Sequence, residues 1–112
     1  MVETPCLDSE ALSELREVME DEFDILIQTY VEDSRHRIES LRQALDAGDP
    51  TALSRAAHSF KGSCFNIGVM RLGELCLQVE TLAKSGDLDG GTALIDTIES
   101  EFRLVNQRLS EI

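Results

Sequence analysis

Apolar residues recur at alternating steps of four and three along most of this chain, and this spacing restricts its fold more than any other feature. The segment that opens with Asp49-Pro50 shows the pattern most clearly, with apolar positions at Leu53, Ala57, Phe60, Cys64 and Ile67. Side chains at this spacing share one face of an α-helix. No segment alternates with a period of two, so we expect helices and no strands.

Capping residues and glycines divide the chain into five helical segments, at about 8–19, 21–47, 49–67, 69–84 and 91–112. Asp49 is a predicted N-cap with proline after it, and Gly48 ends the preceding helix. The connections are short, which favours antiparallel neighbours. We therefore predict an all-α fold, an up-down antiparallel four-helix bundle with a short additional N-terminal helix. We expect residues 1–7 to form an N-terminal tail and residues 8–112 to form a single domain. Within the second helix, the polar run 32–37 is expected to face solvent.

The composition narrows the classes of function. A chain of 112 residues with a formal net charge of −12 is expected to be one domain that repels nucleic acid and anionic membrane surfaces. The same charge favours a monomer. The chain has no apolar run long enough to span a bilayer and no signal peptide, so we expect a cytoplasmic protein. Cys6, Cys64 and Cys76 lack metal-site spacing and are interpreted as small hydrophobic residues in a reducing compartment.

One histidine stands out beside the apolar stripe of the third helix. Ser54, His58, Lys61, Gly62 and Phe65 form a second stripe, turned by about 100° from the first, so we expect His58 to be exposed. A glycine within a helix costs about 1 kcal/mol relative to alanine, and here its lack of a side chain leaves the imidazole open to a large partner. The lysine adds a positive charge suited to a phosphoryl group.

An exposed histidine that carries chemistry needs a partner on one ring nitrogen to fix its tautomer. Glu74 and Glu80 on the next helix are both candidates for that role. On residue types alone, a plain surface histidine that happens to precede a lysine and a glycine is an equally good interpretation.

The segment Ala56-Ala57-His58-Ser59-Phe60-Lys61-Gly62-Ser63-Cys64 resembles the active-site motif of histidine-containing phosphotransfer (HPt) domains. That motif has alanine-histidine, any residue, a large apolar residue, lysine-glycine and two small residues. Asn66-Ile67-Gly68 and Leu75–Glu80 are similar to later parts of the same family. The resemblance covers roughly residues 8–110 and implies a four-helix bundle, in agreement with the helix pattern.

The resemblance also implies roles for particular residues. His58 would accept a phosphoryl group through Nε2 from a receiver-domain aspartate and pass it to the aspartate of a response regulator. Glu80 would hydrogen-bond Nδ1 of that histidine, and Lys61 would assist phosphate and partner contact. Gly62 would clear space for the incoming receiver domain.

The same resemblance implies the partners, which would be the receiver domains of a hybrid sensor kinase and of a response regulator. The chain would have no ATP-dependent kinase activity and no cofactor of its own, and the receiver would bring Mg²⁺. Phe65 stands where the family often has a small residue. We therefore assign Phe65, together with Ser54 on the same stripe, to partner docking.

Two other classes of function are open to a helical bundle. A non-catalytic adaptor would bind or sequester a signalling partner, and in that case Lys61 and Glu80 would be ordinary surface residues. The joint presence of His58, Lys61 and Gly62 counts against it. A metal-binding bundle lacks support because the chain has two histidines and no Glu-x-x-His pattern.

Overall fold

The computed structural model describes residues 4–112, so the first three residues of the predicted tail lie outside the described part. It contains five helices, and the all-α prediction is confirmed. Their bounds lie within a few residues of those expected from the sequence: α1 Ser9–Met19, α2 Glu22–Asp46, α3 Pro50–Asn66, α4 Met70–Ser85 and α5 Gly91–Ser110.

The helix that bears the histidine begins where its capping residues require. Asp49 accepts a hydrogen bond from the backbone N–H of Ala52 at 3.0 Å, and Pro50 occupies the first turn of α3, where no backbone donor is needed. Gly86 ends α4 in the left-handed conformation, with φ of 80°. These two boundaries fix the residue at which α3 begins and the residue at which α4 ends.

Helices α2 to α5 form the bundle. Helix α3 packs between α2 and α4, and α5 closes the ring against α4 and α2, while α1 packs against α2. The α3–α4 pair has the most extensive contact. Burial of each large apolar side chain contributes about 1.5–3 kcal/mol. Within residues 4–112, none of the helices combines the length and the apolar character that crossing a membrane requires.

The end of the predicted tail is ordered against the bundle. The N–H of Asp8 donates to the carbonyl of Gly68 at 2.7 Å, and the N–H of Met70 donates to the carbonyl of Cys6 at 3.1 Å. Cys6 is buried. Residues 6–8 thus line the α3–α4 turn through backbone pairing, which leaves no periodic signal in the side chains.

One position in α2 differs from the expectation for the polar run 32–37. Ser34 is fully buried, although its neighbours Glu32, Asp33 and Arg35 are exposed. It lies four residues after the buried Tyr30 and four before the buried Ile38, on the same helix face. The position is set by the helix period, and a serine is small enough to fit there.

Candidate functional site

The imidazole of His58 is exposed to solvent, and a hydrogen bond to a buried glutamate of α4 fixes its orientation. Its side chain is 68% exposed, and its Nδ1 lies 2.9 Å from Oε2 of Glu80 on α4. The Glu80 side chain is only 5% exposed. A carboxylate at this distance is an acceptor, so Nδ1 carries the ring proton and Nε2 keeps its lone pair. Nε2 makes no hydrogen bond within residues 4–112 and is available as a nucleophile.

Glu80 binds two lysines besides the histidine. Lys61 Nζ lies 2.6 Å from Oε1, and Lys84 Nζ lies 3.1 Å from Oε2. The hydrogen bond from Lys61 lowers the pKa of Glu80 to about 2, with further lowering from Lys84 and His58 and opposition from burial. The carboxylate is therefore ionised at neutral pH and places a fixed negative charge beside the imidazole.

Lys84 is the member of this cluster that the sequence analysis missed. It follows Glu80 by four residues on α4, the spacing at which glutamate and lysine meet on a helix surface. The chain contains only two lysines, and both contact this one carboxylate. The i, i+4 spacing was visible in the sequence and, once Glu80 was a candidate, pointed to Lys84.

The packing of α3 on α4 holds His58 and Glu80 at hydrogen-bonding distance. Ala57 precedes the histidine, Val79 precedes the glutamate, and both are fully buried. Their burial fixes the rotation of each helix about its axis, and so the direction in which the next side chain points. The buried thiol of Cys64 contacts the hydroxyl of Tyr30 at 3.1 Å, which ties α3 to α2 as well.

Gly62 lies in open space one turn after His58. Apart from the backbone of its own helix, a Cβ added to Gly62 would meet no atom of residues 4–112 within 4 Å, so packing among the described residues does not require a glycine there. The residue lies on the exposed side of α3. Its absent side chain leaves the surface beside the imidazole flat.

Phe65 is partly packed and partly exposed. Its ring lies against Gly73 of α4, where any Cβ would collide with it, yet 38% of the residue remains exposed. Leu77, one turn further along α4, is also exposed. Phe65 and Leu77 thus provide apolar surface on the helix pair that bears His58, and the sequence analysis did not single out Leu77.

The structure therefore brings His58, Lys61 and Glu80 into one hydrogen-bonded group, with Gly62 on the same side of α3. Ser54, the other predicted docking residue, is half-buried one turn before the histidine. Glu74, the second candidate partner for the imidazole, instead accepts a hydrogen bond from the hydroxyl of Thr4 at 2.9 Å.

The residues that could hold a metal ion are few. Within residues 4–112, no three His, Cys, Asp or Glu side chains are grouped so as to hold one. At the site itself, both oxygens of Glu80 already accept hydrogen bonds. The arrangement can therefore offer Nε2 of His58 as a nucleophile, while the buried carboxylate of Glu80 holds Nδ1.

Comparisons with known proteins agree with this arrangement. The family model described as the Hpt domain matches residues 25–111. The crystal structure of histidine-containing phosphotransfer protein B (HptB) from Pseudomonas aeruginosa PAO1 is 43% identical in sequence and superimposes with a TM-score of 0.92. The match covers 97% of this chain and 95% of that one. The search of curated proteins gave no significant match.

Proposed function

Because this chain belongs to the Hpt family and is a histidine phosphotransfer intermediate of a phosphorelay, we propose that His58 is the side chain that carries the phosphoryl group. The observation that supports this most directly is the hydrogen bond of 2.9 Å between its Nδ1 and the buried Glu80. It leaves Nε2 as the exposed, unprotonated nitrogen of the ring.

In the proposed reaction, Nε2 attacks the phosphorus of a phosphoaspartate on a receiver domain. The new N–P bond forms as the bond to the aspartate oxygen breaks, and the aspartate leaves as a carboxylate with that electron pair. No proton needs to move, because Nδ1 keeps its hydrogen and the ring becomes a phosphorylated imidazolium. Glu80 stabilises that positive charge, and Lys61 contributes positive charge beside the phosphoryl group. The reverse step delivers the group to a second receiver.

Receiver domains are the kind of partner that Hpt proteins have. We propose that the donor receiver is part of a hybrid sensor kinase and that the acceptor is part of a response regulator. Gly62 keeps the surface open for their approach, and Ser54 and Phe65 flank it as docking residues.

The chain itself is proposed to act as a carrier without ATP-dependent kinase activity, with Mg²⁺ supplied by the receiver. Both oxygens of Glu80 are already occupied by hydrogen bonds, which supports the proposal that the metal ion comes from the receiver. The net charge of −12 and three free buried cysteines support a monomer in a reducing cytoplasm.

The test is transfer of radiolabelled phosphate from a phosphorylated receiver domain. Wild-type protein should acquire a label that is stable in base and labile in acid, as expected for phosphohistidine. The His58→Gln variant should acquire none. The matched control is His36→Gln, which removes the other histidine, an exposed residue of α2, and should be labelled like the wild type.

Two results would contradict the proposal. A label that persists in His58→Gln would place the acceptor elsewhere. A wild-type protein that binds receivers yet takes phosphate from none of them would instead favour a non-catalytic adaptor.

A further inference from the structure

A groove of about 380 Å³ opens one helix turn from His58, between the start of α3 and the end of α4. Thr51 and Ser54 line it with hydroxyl groups, and Arg55 and Lys84 line it with positive charges. Ser54 lies one turn before His58, and Lys84 shares the Oε2 atom of Glu80 with the imidazole. The groove is therefore continuous with the site of phosphoryl transfer.

The lining of this groove contains no carboxylate. The two acidic residues that flank its edges in sequence accept hydrogen bonds from nearby backbone N–H groups, and neither forms an ion pair with Arg55 or Lys84. Asp49 Oδ1 accepts from the N–H of Ala52, and Asp87 Oδ1 accepts from the N–H of Asp89, each at 3.0 Å. Arg55 is exposed and has no carboxylate of residues 4–112 within ion-pair distance.

Other surface grooves of the described chain differ in this respect. Four of them each have at least one acidic residue in the lining. One contains Asp24 and Glu32, a second Glu39 and Glu99, a third Glu22 and a fourth Glu111. Lys84 is already paired with Glu80. On a protein with a net charge of −12, Arg55, which has no such partner within residues 4–112, therefore makes this groove a small positively charged surface. Such a surface attracts negative groups that the rest of the molecule repels.

We propose that this groove binds an acidic side chain of the receiver domain and thereby helps to select the partner. The inference rests on the proposed function. A guanidinium pairs with a carboxylate through two parallel hydrogen bonds, which gives geometric selectivity as well as attraction. A second copy of this chain is a poor occupant, because two molecules of charge −12 repel each other.

The first test compares Arg55→Glu with Arg103→Glu. Both replace an exposed arginine by glutamate and change the net charge equally, but Arg103 lies on α5 in a groove that already contains Glu39 and Glu99. Rapid-quench measurement of transfer from a phosphorylated receiver should show Arg55→Glu about 10-fold slower in its second-order rate at low salt. The rate at saturating receiver should be unchanged, and Arg103→Glu should stay near wild type.

A second variant separates docking from stability. Thr51→Glu places a negative charge in the groove within the first turn of α3, where a carboxylate stabilises a helix. It should keep the melting temperature of the wild type or raise it, and still slow transfer from the receiver. Phosphorylation by phosphoramidate, a small donor that needs no docking surface, should proceed at the wild-type rate in every variant.

The inference is overturned if Arg55→Glu and Arg103→Glu have equal rates, or if Arg55→Glu lowers only the rate at saturation. Slower phosphorylation of Arg55→Glu by phosphoramidate would also overturn it, since that would mean that the substitution lowers the reactivity of His58 itself. Failure of the proposed function looks different, because then even the wild type gains no phosphate on His58.

Discussion

At the scale of single residues, Glu80 connects stability with chemistry. A buried carboxylate is costly unless positive charges and hydrogen bonds offset its loss of water. Here Lys61, Lys84 and His58 all bind it. The same ionised group that neutralises the lysines also orients the imidazole, so a change at Glu80 is expected to affect both folding and transfer.

The pH dependence of stability should reveal this carboxylate. Its pKa is about 2 in the folded protein against an ordinary value of 4.5, so its stabilising contribution is complete above pH 4.5 and is lost as the pH falls towards 2. We expect Glu80→Gln to lower the free energy of unfolding at pH 7, by a margin that narrows from about pH 4.5 to about pH 2. Urea unfolding followed by circular dichroism at a series of pH values measures it.

The control is Glu74→Gln, which removes an exposed carboxylate from the same helix. Its effect on the free energy of unfolding should be small across the same pH range. A margin for Glu80→Gln that stays constant down to pH 2 would show that ionisation of Glu80 does not stabilise the fold.

Among the site residues, those on one helix were predictable from the sequence, and the contact between helices was not. The period of α3 alone places His58, Lys61 and Gly62 on an exposed stripe. It cannot say whether Glu74 or Glu80 reaches the imidazole, because that depends on how α4 is rotated against α3. The resemblance to HPt domains named Glu80, and the structure gives the physical reason in the burial of Val79 beside it.

At the scale of helices, the boundaries were predictable because short-range chemistry sets them. Asp49 and Pro50 begin α3, and Gly86 ends α4, through interactions within a few residues. Residues 6–8 pair with the α3–α4 turn, and Phe65 contacts Gly73. Both contacts join separate elements of the fold. No periodicity records such contacts, so these features emerged only from the structure.

The two glycines within α3 and α4 should respond oppositely to the same substitution. Gly62→Ala meets open space and should raise the free energy of unfolding by about 1 kcal/mol, the difference in helix propensity. Gly73→Ala gains the same propensity but forces the ring of Phe65 to move. Because overpacking usually costs about 1–3 kcal/mol, we expect a net loss of up to about 2 kcal/mol. Chemical denaturation of the two variants measures both.

A double variant provides the control for this comparison. Phe65→Ala removes the ring that covers Gly73, so the cost of Gly73→Ala should largely disappear in that background. If Gly73→Ala is equally destabilising with and without the ring, the contact with Phe65 is not the reason for a glycine at that position.

At the scale of the whole molecule, charge has two opposing effects. The net charge of −12 makes the folded chain repel itself, and salt screens that repulsion. The proposed attraction between Arg55 and an acidic side chain of the receiver is screened by the same salt. Folding and docking should therefore respond to ionic strength with opposite signs.

We expect the melting temperature to rise by a few degrees between about 0.01 M and 0.15 M sodium chloride, as the screening length falls from about 30 Å to about 8 Å. Over the same range, the second-order rate of transfer should fall. Glu32 and Asp33 on α2 are exposed and form no ion pair within residues 4–112. Replacing them, as in Glu32→Gln with Asp33→Asn, should reduce the salt dependence of melting, because it removes part of the repulsion. A melting temperature that falls with salt would mean that ion pairs such as Arg42 with Asp96 outweigh the repulsion.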